Sequence, residues 1–311
     1  MTRQPDPHDD PPRDPRPYAR PDPDPDPDPG PASSVPEVPP MFTVVVPTHR
    51  RPALVAEAVA SVVAQTRGDW ECLVVDDGGG EDLDALSDDH RVRLIRRPVA
   101  GGPAAARNEG IAQARGQIIA FLDDDDRFRP ERLDLAAAGL ADPRIDVAVC
   151  WSAWIGDQHP TSGRLLDGDV ADSILEATTP HLGATAVRAG AMVGFDERYP
   201  AAEDVEWWLR IAGRCLVATK PQVGCELRHH GGVRANGTDL AGRLDASERL
   251  LAEHAGYFAE HPRAEAFRLA RMGTMAAGAG ATPQARSLLM RSLRRRPSAL
   301  AVRSLVRSWR P

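Results

Sequence analysis

Cysteine is scarce in this chain, and its apolar runs are short. The 311 residues include four cysteines, none of them in the CxxC spacing that zinc and redox sites use. We therefore expect four buried, reduced thiols, as is usual in the cytoplasm: Cys72, Cys150, Cys215 and Cys225. No apolar segment approaches the roughly 20 residues that a transmembrane helix needs. The sequence thus predicts a soluble, cytoplasmic protein.

Large apolar side chains are almost absent from the start of the chain. Proline and aspartate alternate over residues 21–29, and residues 1–40 hold nine acidic side chains against four arginines. Such a segment cannot bury a core, so we predict a disordered tail over residues 1–40. The segment also lacks the basic start and the apolar stretch of a signal peptide. Met41 directly precedes the first strand-like run and is a candidate start codon.

Acidic residues are absent from the last 31 residues, which carry eight arginines although the formal net charge of the chain is -7. Prolines near three predicted helix starts indicate a helical C-terminal region over residues 246–311. Nucleic acid is not expected as a partner, because Trp309 is the only aromatic residue among these arginines and the body of the chain is acidic. The arginines are interpreted either as a solvated face or as a peripheral contact with the inner, anionic face of a membrane.

What the sequence does contain is an alternation of strand-like and helix-like segments from residue 42 onward. Short apolar runs lie at residues 42–46, 71–75, 92–95 and 117–122. The alternation predicts an α/β fold over residues 41–245, with a mostly parallel sheet flanked by helices. Polar residues follow three of these runs. Because parallel strands end at one edge of a sheet, we expect those polar residues to line a nucleotide-binding crevice.

Four consecutive aspartates, residues 123–126, follow the last of these runs. Like charges this close repel one another, and a hard divalent cation with oxygen ligands relieves the repulsion. We therefore predict a site for Mg²⁺ or Mn²⁺ that grips a diphosphate. The alternative interpretation is a solvated acidic turn, which is common in loops.

A glycine-rich segment at residues 101–110 matches neither GxGxxG nor GxxxxGK[ST], which excludes a dinucleotide fold and a P-loop. Arg107 lies in the helix predicted there. Its guanidinium either reaches a phosphate or ties the helix to the acidic run.

Two polar pairs in the second half are also candidates for chemistry. Glu203 and Asp204 stand at the predicted start of a helix, where carboxylates serve as caps or, functionally, as a general base. His229 and His230 follow the last predicted strand and precede paired glycines. In a chain with an acidic run, such histidines are candidate metal ligands.

Taken in order, these motifs resemble the family 2 inverting glycosyltransferases, whose fold is called GT-A. The resemblance covers about 190 residues. Each motif alone is a weak indication of the family, and their occurrence in this order is a strong one. The matching pieces are residues 44–52, 74–78, 102–110, 121–126, 201–210 and 228–232.

The resemblance implies a nucleobase pocket at the ends of the first two strands. Pro47, Thr48 and His49 would line that pocket. Asp77 would accept a hydrogen bond from the base, with Asp76 as the alternative. The base is uracil in many members of the family, so UDP is the favoured donor nucleotide. Because His49 stands where an aromatic residue or Asn is frequent, GDP and dTDP are alternatives.

The resemblance also implies a metal site and a base. Asp123 or Asp124 would lie near the ribose, and Asp125 would bind the metal that bridges both phosphates. Asp124 stands where a small residue is frequent, which leaves the choice of coordinating oxygens open. His230 would complete the metal or phosphate site, and Asp204 would take the proton from the acceptor hydroxyl.

The implied reaction is metal-dependent transfer, with Mn²⁺ or Mg²⁺, from a nucleoside diphosphate sugar to a glycan, lipid-linked or small-molecule acceptor. Two other functions are alternatives to glycosyl transfer. A nucleotidyltransferase needs a glycine-rich triphosphate loop near its start, and residues 47–52 contain no glycine. A noncatalytic scaffold that keeps the fold is the other alternative, and the intact Asp125, Asp204 and His230 argue against it.

Overall fold

The computed structural model describes residues 39–80, 82–84, 86, 88–229 and 240–308. The strands in these ranges are β1 (Phe42–Thr48), β2 (Trp70–Asp77), β3 (Val92–Arg97), β4 (Ile118–Phe121), β5 (Arg127–Phe128), β6 (Val147–Trp154), β7 (Thr185–Arg188) and β8 (Val217–Leu227). The α-helices in these ranges are α1 (Pro52–Val63), α2 (Gly102–Gln113), α3 (Arg132–Gly139), α4 (Glu203–Ala212), α5 (Leu240–Glu253), α6 (Ala255–Glu260), α7 (Pro262–Gly278), α8 (Thr282–Arg295) and α9 (Ala299–Arg307). The predicted tail lies outside the described residues except for Pro39 and Pro40.

The strands form a single mixed sheet in the order β3-β2-β1-β4-β7-β6-β8-β5. Strands β1, β2, β3 and β4 are parallel neighbours, and β6 and β8 are also parallel. Strand β7 is antiparallel to both β4 and β6, so β4 and β6 run in the same direction. The predicted mostly parallel α/β sheet is confirmed. The ends of β1, β2, β4, β6 and β8 therefore meet at one edge.

Strands β1, β2 and β4 are buried on both faces, which explains why they read as short apolar runs without alternation. Val44 and Val46 pack with α1 on one face, and Val45 packs with α2 and α4 on the other. Helix α2 lies very close to β1 because Gly110 faces Val45, where an added Cβ would come within 2.4 Å of a valine methyl. This close contact fixes α2 directly above the strand that leads into the candidate site.

The C-terminal helices pack on the sheet and on one another. Helix α5 runs through residue 245, where the sequence analysis placed the end of the catalytic domain; that division stays a prediction. Leu250 of α5 and Phe258 of α6 share a buried cluster with Trp208 of α4. The apolar spacing predicts one helix over residues 247–259, but the structure has two helices there, α5 and α6, with His254 between them.

Two expectations from composition can be compared with the structure. All four cysteines are buried and unpaired, and burial raises the pKa of Cys150 and the pKa of Cys215, the latter to about 11. Among the helices in the described ranges, none has both the length and the apolar composition that crossing a bilayer requires.

Candidate active site

A cavity of about 790 Å³ opens at the edge where the parallel strands end, and its size is in the range of small-molecule sites. The structure brings most of the predicted site residues to its wall. They are Pro47, Thr48, His49, Asp77, Arg107, Asp123, Asp124, Asp125 and Asp204. Asp76 is buried beneath the turn after β2, where its carboxylate accepts a hydrogen bond from the Gly79 N–H (2.9 Å). His230 lies outside the described residues.

The end of strand β1 and the turn that follows it supply two partners to the acidic run. The Thr48 hydroxyl donates to Asp124 Oδ2 (2.8 Å), and Arg51 Nη1 donates to Asp124 Oδ1 (2.8 Å) and Asp125 Oδ2 (3.1 Å). Burial nevertheless raises the pKa of Asp124 to about 6, because these two partners only partly offset the loss of water. Asp124 therefore loses its proton less readily than a carboxyl group in water.

Asp77 is held at the start of α2. Its carboxylate accepts the N–H groups of Gly101 (3.0 Å) and Gly102 (2.7 Å) and pairs with Arg97. A carboxylate at this position satisfies orphan N–H groups and interacts favourably with the helix dipole. His49 Nδ1 lies 2.8 Å from the carbonyl oxygen of Asp77, so the proposed base-binding residues of β1 and β2 are in contact.

Arg107 joins the acidic run to the start of α4. Its side chain is 4% exposed, with Nη2 2.7 Å from Asp123 Oδ1 and Nη1 3.0 Å from Glu203 Oε1. Burial raises the pKa of Glu203, and the charge of Arg107 opposes that rise. Of the two roles that the sequence left open for Arg107, the structure shows the tie to the acidic loop.

Asp204 follows Glu203 in the first turn of α4 and is half-buried at the cavity wall. The residue before the helix, Ala202, has a left-handed backbone with φ 62°, which is uncommon for a residue other than glycine. The helix is anchored below by two fully buried tryptophans: Trp207 Nε1 donates to Val193 O (2.9 Å) and Trp208 Nε1 to Pro180 O (3.0 Å). The base candidate therefore stands on a rigid element.

The buried face of this helix differs from the expectation in one respect. The helical spacing of the apolar residues predicts a buried face of Val205, Trp208, Leu209 and Ile211. The structure leaves Leu209 only partly buried and buries Trp207 completely. Trp207 is required there because it packs against the rings of Phe121 and Phe195, which the local pattern does not reveal.

Sequence reasoning missed His181, which lines the cavity beside the acidic run. Its Nε2 lies 3.6 Å from Asp123 Oδ2 and 3.6 Å from Asp126 Oδ2, and its Nδ1 accepts the Gly183 N–H (3.2 Å). The last contact places the hydrogen of the neutral ring on Nε2, facing the carboxylates. Burial raises the pKa of Asp126 to about 7. No sequence signal marks His181, because its carboxylate neighbours Asp123 and Asp126 lie more than 50 positions away in the sequence.

Two sets of side chains are candidates for a divalent cation. Among the described residues, ligand atoms of Asp126, His181 and Cys225 lie within 4.8 Å of one another. That group fits a metal poorly, because His181 presents N–H and burial raises the pKa of the Cys225 thiol far above its usual value. Asp125, at the cavity wall, offers the oxygen ligands that Mg²⁺ and Mn²⁺ prefer.

The sequence analysis also assigned no role to three arginines and one tryptophan of the cavity wall. Arg228 donates from Nε to the Asp125 carbonyl (3.0 Å) and from its backbone N–H to Asp126 (2.9 Å). Arg51 was part of a matched motif without a role. Arg243 and Trp154 also line the cavity and carried no prediction, whereas His229, likewise at the cavity wall, was a candidate metal ligand from the sequence.

Comparison with known sequences identifies the segment that carries most of these residues. Residues 43–181 match the family model "Glycosyl transferase family 2". The succinoglycan biosynthesis protein ExoO of Rhizobium meliloti is 40% identical over 118 residues, which are 35% of this chain and 34% of that protein. An uncharacterized glycosyltransferase of Rickettsia bellii is 36% identical over 186 residues, or 56% of this chain and 27% of that protein. The chain therefore spans about a third of the length of these curated relatives.

Solved structures with the same fold cover most of the chain. TarS of S. aureus (residues 1–349) has a TM-score of 0.62 at 18% identity, covering 86% of this chain and 89% of that one, and it is also known in complex with UDP-GlcNAc. The mannosyltransferase PcManGT of Pyrobaculum calidifontis, in complex with GDP-Man and Mn²⁺, has a TM-score of 0.55 at 19% identity, covering 87% of this chain and 80% of that one. The matched segment belongs to the family 2 glycosyltransferases, and the chain carries a glycosyltransferase domain of the GT-A fold.

Proposed function

We propose that this protein is a metal-dependent inverting glycosyltransferase that moves a sugar from a nucleoside diphosphate sugar to a hydroxyl acceptor. The observation that carries the proposal is the double contact of Arg107 with Asp123 and Glu203. This contact supports the proposal because it links the acidic run, which would bind the diphosphate, to the helix that carries the candidate base, as an in-line displacement needs.

The donor half of the site comprises β1, β2 and the acidic run. Pro47, Thr48 and His49 would enclose the base, and Asp77, already in contact with His49, would orient it. Asp125 would hold a divalent cation, which neutralises charge on the departing diphosphate. Burial raises the pKa of Asp124 and the charges of Asp125 and Asp123 add to that rise, so a cation at this place would be stabilising, and the Mn²⁺ complex of the fold neighbour PcManGT agrees with it.

The acceptor half centres on Asp204. Its carboxylate would take the proton of the acceptor hydroxyl while that oxygen attacks the anomeric carbon from the face opposite the diphosphate. The bond from the anomeric carbon to the diphosphate oxygen breaks, and the nucleoside diphosphate leaves with the electron pair. Attack from the opposite face inverts the configuration.

UDP is the favoured donor nucleotide, with GDP and dTDP as alternatives. The fold neighbours bind different bases, since TarS is known with UDP-GlcNAc and PcManGT with GDP-Man, so they support a nucleoside diphosphate and do not choose the base. His230, outside the described residues, is proposed as a further metal or phosphate ligand.

We also propose a peripheral contact between the C-terminal helices and an anionic membrane surface. On α9, Val302 and Val306 are 48% and 51% exposed, and Arg303 and Arg307 lie beside them at the same four-residue spacing. An apolar stripe flanked by arginines suits a helix that lies in a lipid headgroup region. Such a contact would bring the enzyme to lipid-linked acceptors at the cytoplasmic face.

A thermal-shift panel tests the donor class. UDP, GDP, dTDP, ADP and CDP are added with and without Mn²⁺ to the wild type and to Asp125→Ala. We expect one nucleotide to stabilise the wild type in a Mn²⁺-dependent way and to lose that effect in the variant. A panel without any shift would favour the noncatalytic scaffold instead.

A further inference from the structure

The cavity wall holds one accessible aromatic residue that the proposed donor and base machinery does not use. Among the described residues that line the cavity, Trp154 is the only Phe, Tyr or Trp, and it is 37% exposed. The other four described tryptophans each donate the indole N–H to a backbone carbonyl: Trp70, Trp151, Trp207 and Trp208. Those four stabilise the fold, whereas Trp154 presents its ring to the cavity.

The backbone holds Trp154 firmly at this place. It is the last residue of β6 and pairs in register with Leu227 of β8, and the next N–H, of Ile155, donates to Leu227 O (2.9 Å). The Asp157 N–H then donates to Trp154 O (2.9 Å), closing a turn in which Gly156 has φ 86°. A side chain on such a pinned strand end keeps its orientation when a ligand arrives.

His229 extends the aromatic surface. It lies two residues beyond Leu227, and its ring centroid is 4.8 Å from that of Trp154, at an interplanar angle of 42°. Both residues line the cavity. We refer to Trp154 and His229 together as the aromatic platform.

The aromatic platform lies away from the nucleotide-binding strands. The proposed donor residues stand on β1, β2 and β4, whereas the platform stands on β6 and beyond β8, with β7 between the two groups. Trp154 pairs with Leu227 on one side of β8, and on the other side the next residue, Arg228, donates its N–H to Asp126 (2.9 Å). Neighbouring strands are about 4.8 Å apart, so Trp154 is on the order of 10 Å from the end of the acidic run. The platform therefore borders the acidic run on the side away from the proposed nucleobase pocket, where the sugars rather than the base would lie.

The composition of the wall indicates the kind of acceptor. A pyranose ring has a C–H face that stacks on the negative face of an aromatic ring, and a rim of hydroxyls that need polar partners. Asp204 and Arg243 supply such polar groups on the same cavity wall. A prenyl chain would instead need a continuous apolar groove, and a single tryptophan among charged residues does not provide one.

Resting on the function proposed above, we infer that Trp154 and His229 form an acceptor subsite on which the C–H face of a sugar ring stacks. The acceptor is therefore a carbohydrate, and the stacked ring presents the hydroxyl that reacts. Trp154 sets acceptor specificity, and it takes no part in binding the nucleotide.

Saturation-transfer NMR tests this assignment on the full chain loaded with UDP and Mg²⁺. The probes are the methyl glycosides of glucose, galactose, mannose and N-acetylglucosamine, with geranyl phosphate as a lipid-type competitor. We expect at least one glycoside to bind, with strongest saturation on the protons of one ring face. Trp154→Ala should weaken that binding about tenfold or more, and Trp154→Phe should retain most of it.

Two controls keep the result interpretable. Trp151→Phe, on the same strand and away from the cavity wall, should leave glycoside binding unchanged. The UDP-induced thermal shift should be the same in Trp154→Ala as in the wild type, which shows that the variant is folded.

Three results would overturn the assignment: no glycoside binds the loaded wild type, the alanine variant binds as tightly, or only geranyl phosphate binds. If UDP fails to bind, the experiment is repeated with GDP and dTDP. If none of the three nucleotides binds, the proposed function is contradicted, and so is this inference, which rests on it.

Discussion

Arg107 and Glu203, 96 residues apart in sequence, are joined by a hydrogen bond of 3.0 Å between Nη1 and Oε1. Both side chains are almost completely removed from water. Through its other terminal nitrogen Arg107 holds Asp123, so a single guanidinium fixes the distance between the acidic run and the helix that carries Asp204. The relative position of the two halves of the site thus depends on this residue.

Removing Arg107 should therefore cost stability as well as activity. In Arg107→Gln we expect the free energy of unfolding to fall by about 3–5 kcal/mol, because Glu203 is left as an uncompensated buried charge. Urea unfolding measures the loss. The double variant Arg107→Gln with Glu203→Gln should recover part of it, giving a coupling energy of about 1–3 kcal/mol. Strictly additive losses would show that the pair contributes nothing.

The metal assignment separates Asp125 from its neighbour Asp126. We expect Asp125→Asn to abolish the Mn²⁺-dependent part of nucleotide binding, because Asp125 is the proposed ligand. Asp126→Asn should keep it, because Asp126 is buried against His181 and bonded to the Arg228 N–H. Titration calorimetry of the nucleotide with and without Mn²⁺ distinguishes the two. Loss of metal dependence only in the Asp126 variant would move the site to the Asp126, His181 and Cys225 group.

The pH dependence of stability should depend in part on Glu206 of α4. Burial opposes ionisation of Glu206, but hydrogen bonds from His254 and Arg210 outweigh it and lower its pKa below the usual 4.5. A lowered folded pKa stabilises the protein above about pH 4.5, and that stabilisation is lost as the pH falls through the folded value.

Glu206→Gln should therefore lower the free energy of unfolding by about 1–3 kcal/mol at pH 7 and by much less at pH 3. Chemical unfolding at the two pH values measures this difference. The exposed Glu248→Gln on α5 serves as the control and should show no such change. A deficit of the same size at both pH values would rule out the ionised pair as its cause.

The strands could be predicted because strands buried on both faces of a parallel sheet require continuous apolar runs, and the run at residues 147–154 coincides with β6 at both ends. The two-residue β5 carries no such signal, and the reversed direction of β7 depends on neighbours distant in sequence. Most of the residues predicted for the site line the cavity, because strand ends share one edge.

What could not be predicted depends on contacts between distant residues. His181 has no motif, and its position beside Asp126 follows only from the path of the chain before β7. Arg107 had two possible roles until Glu203 was found within reach. Trp154 reads as one more apolar residue of a strand, and only the register of β6 with β8 places it at the cavity wall.

Membrane contact should depend on the arginines of α9. We expect the protein to float with vesicles that contain anionic lipid and to be released at high salt, since each basic residue near the surface contributes about 1 kcal/mol. The double variant Arg303→Glu with Arg307→Glu should float much less. Arg144→Glu, an exposed arginine between α3 and β6, is the control and should float normally. Flotation that ignores both salt and these substitutions would contradict the proposal.

The central claim is tested most directly by nucleoside diphosphate release from a panel of sugar nucleotides, with Mn²⁺ and the methyl glycosides present, in wild type and Asp204→Asn. We predict turnover with one donor, and a rate about 10²- to 10⁴-fold lower in the variant, which should still bind the nucleotide as tightly. Equal rates in the two proteins would contradict the assignment of Asp204 as the base. A wild type that binds the nucleotide and releases no nucleoside diphosphate from any donor would contradict the proposed glycosyltransferase activity.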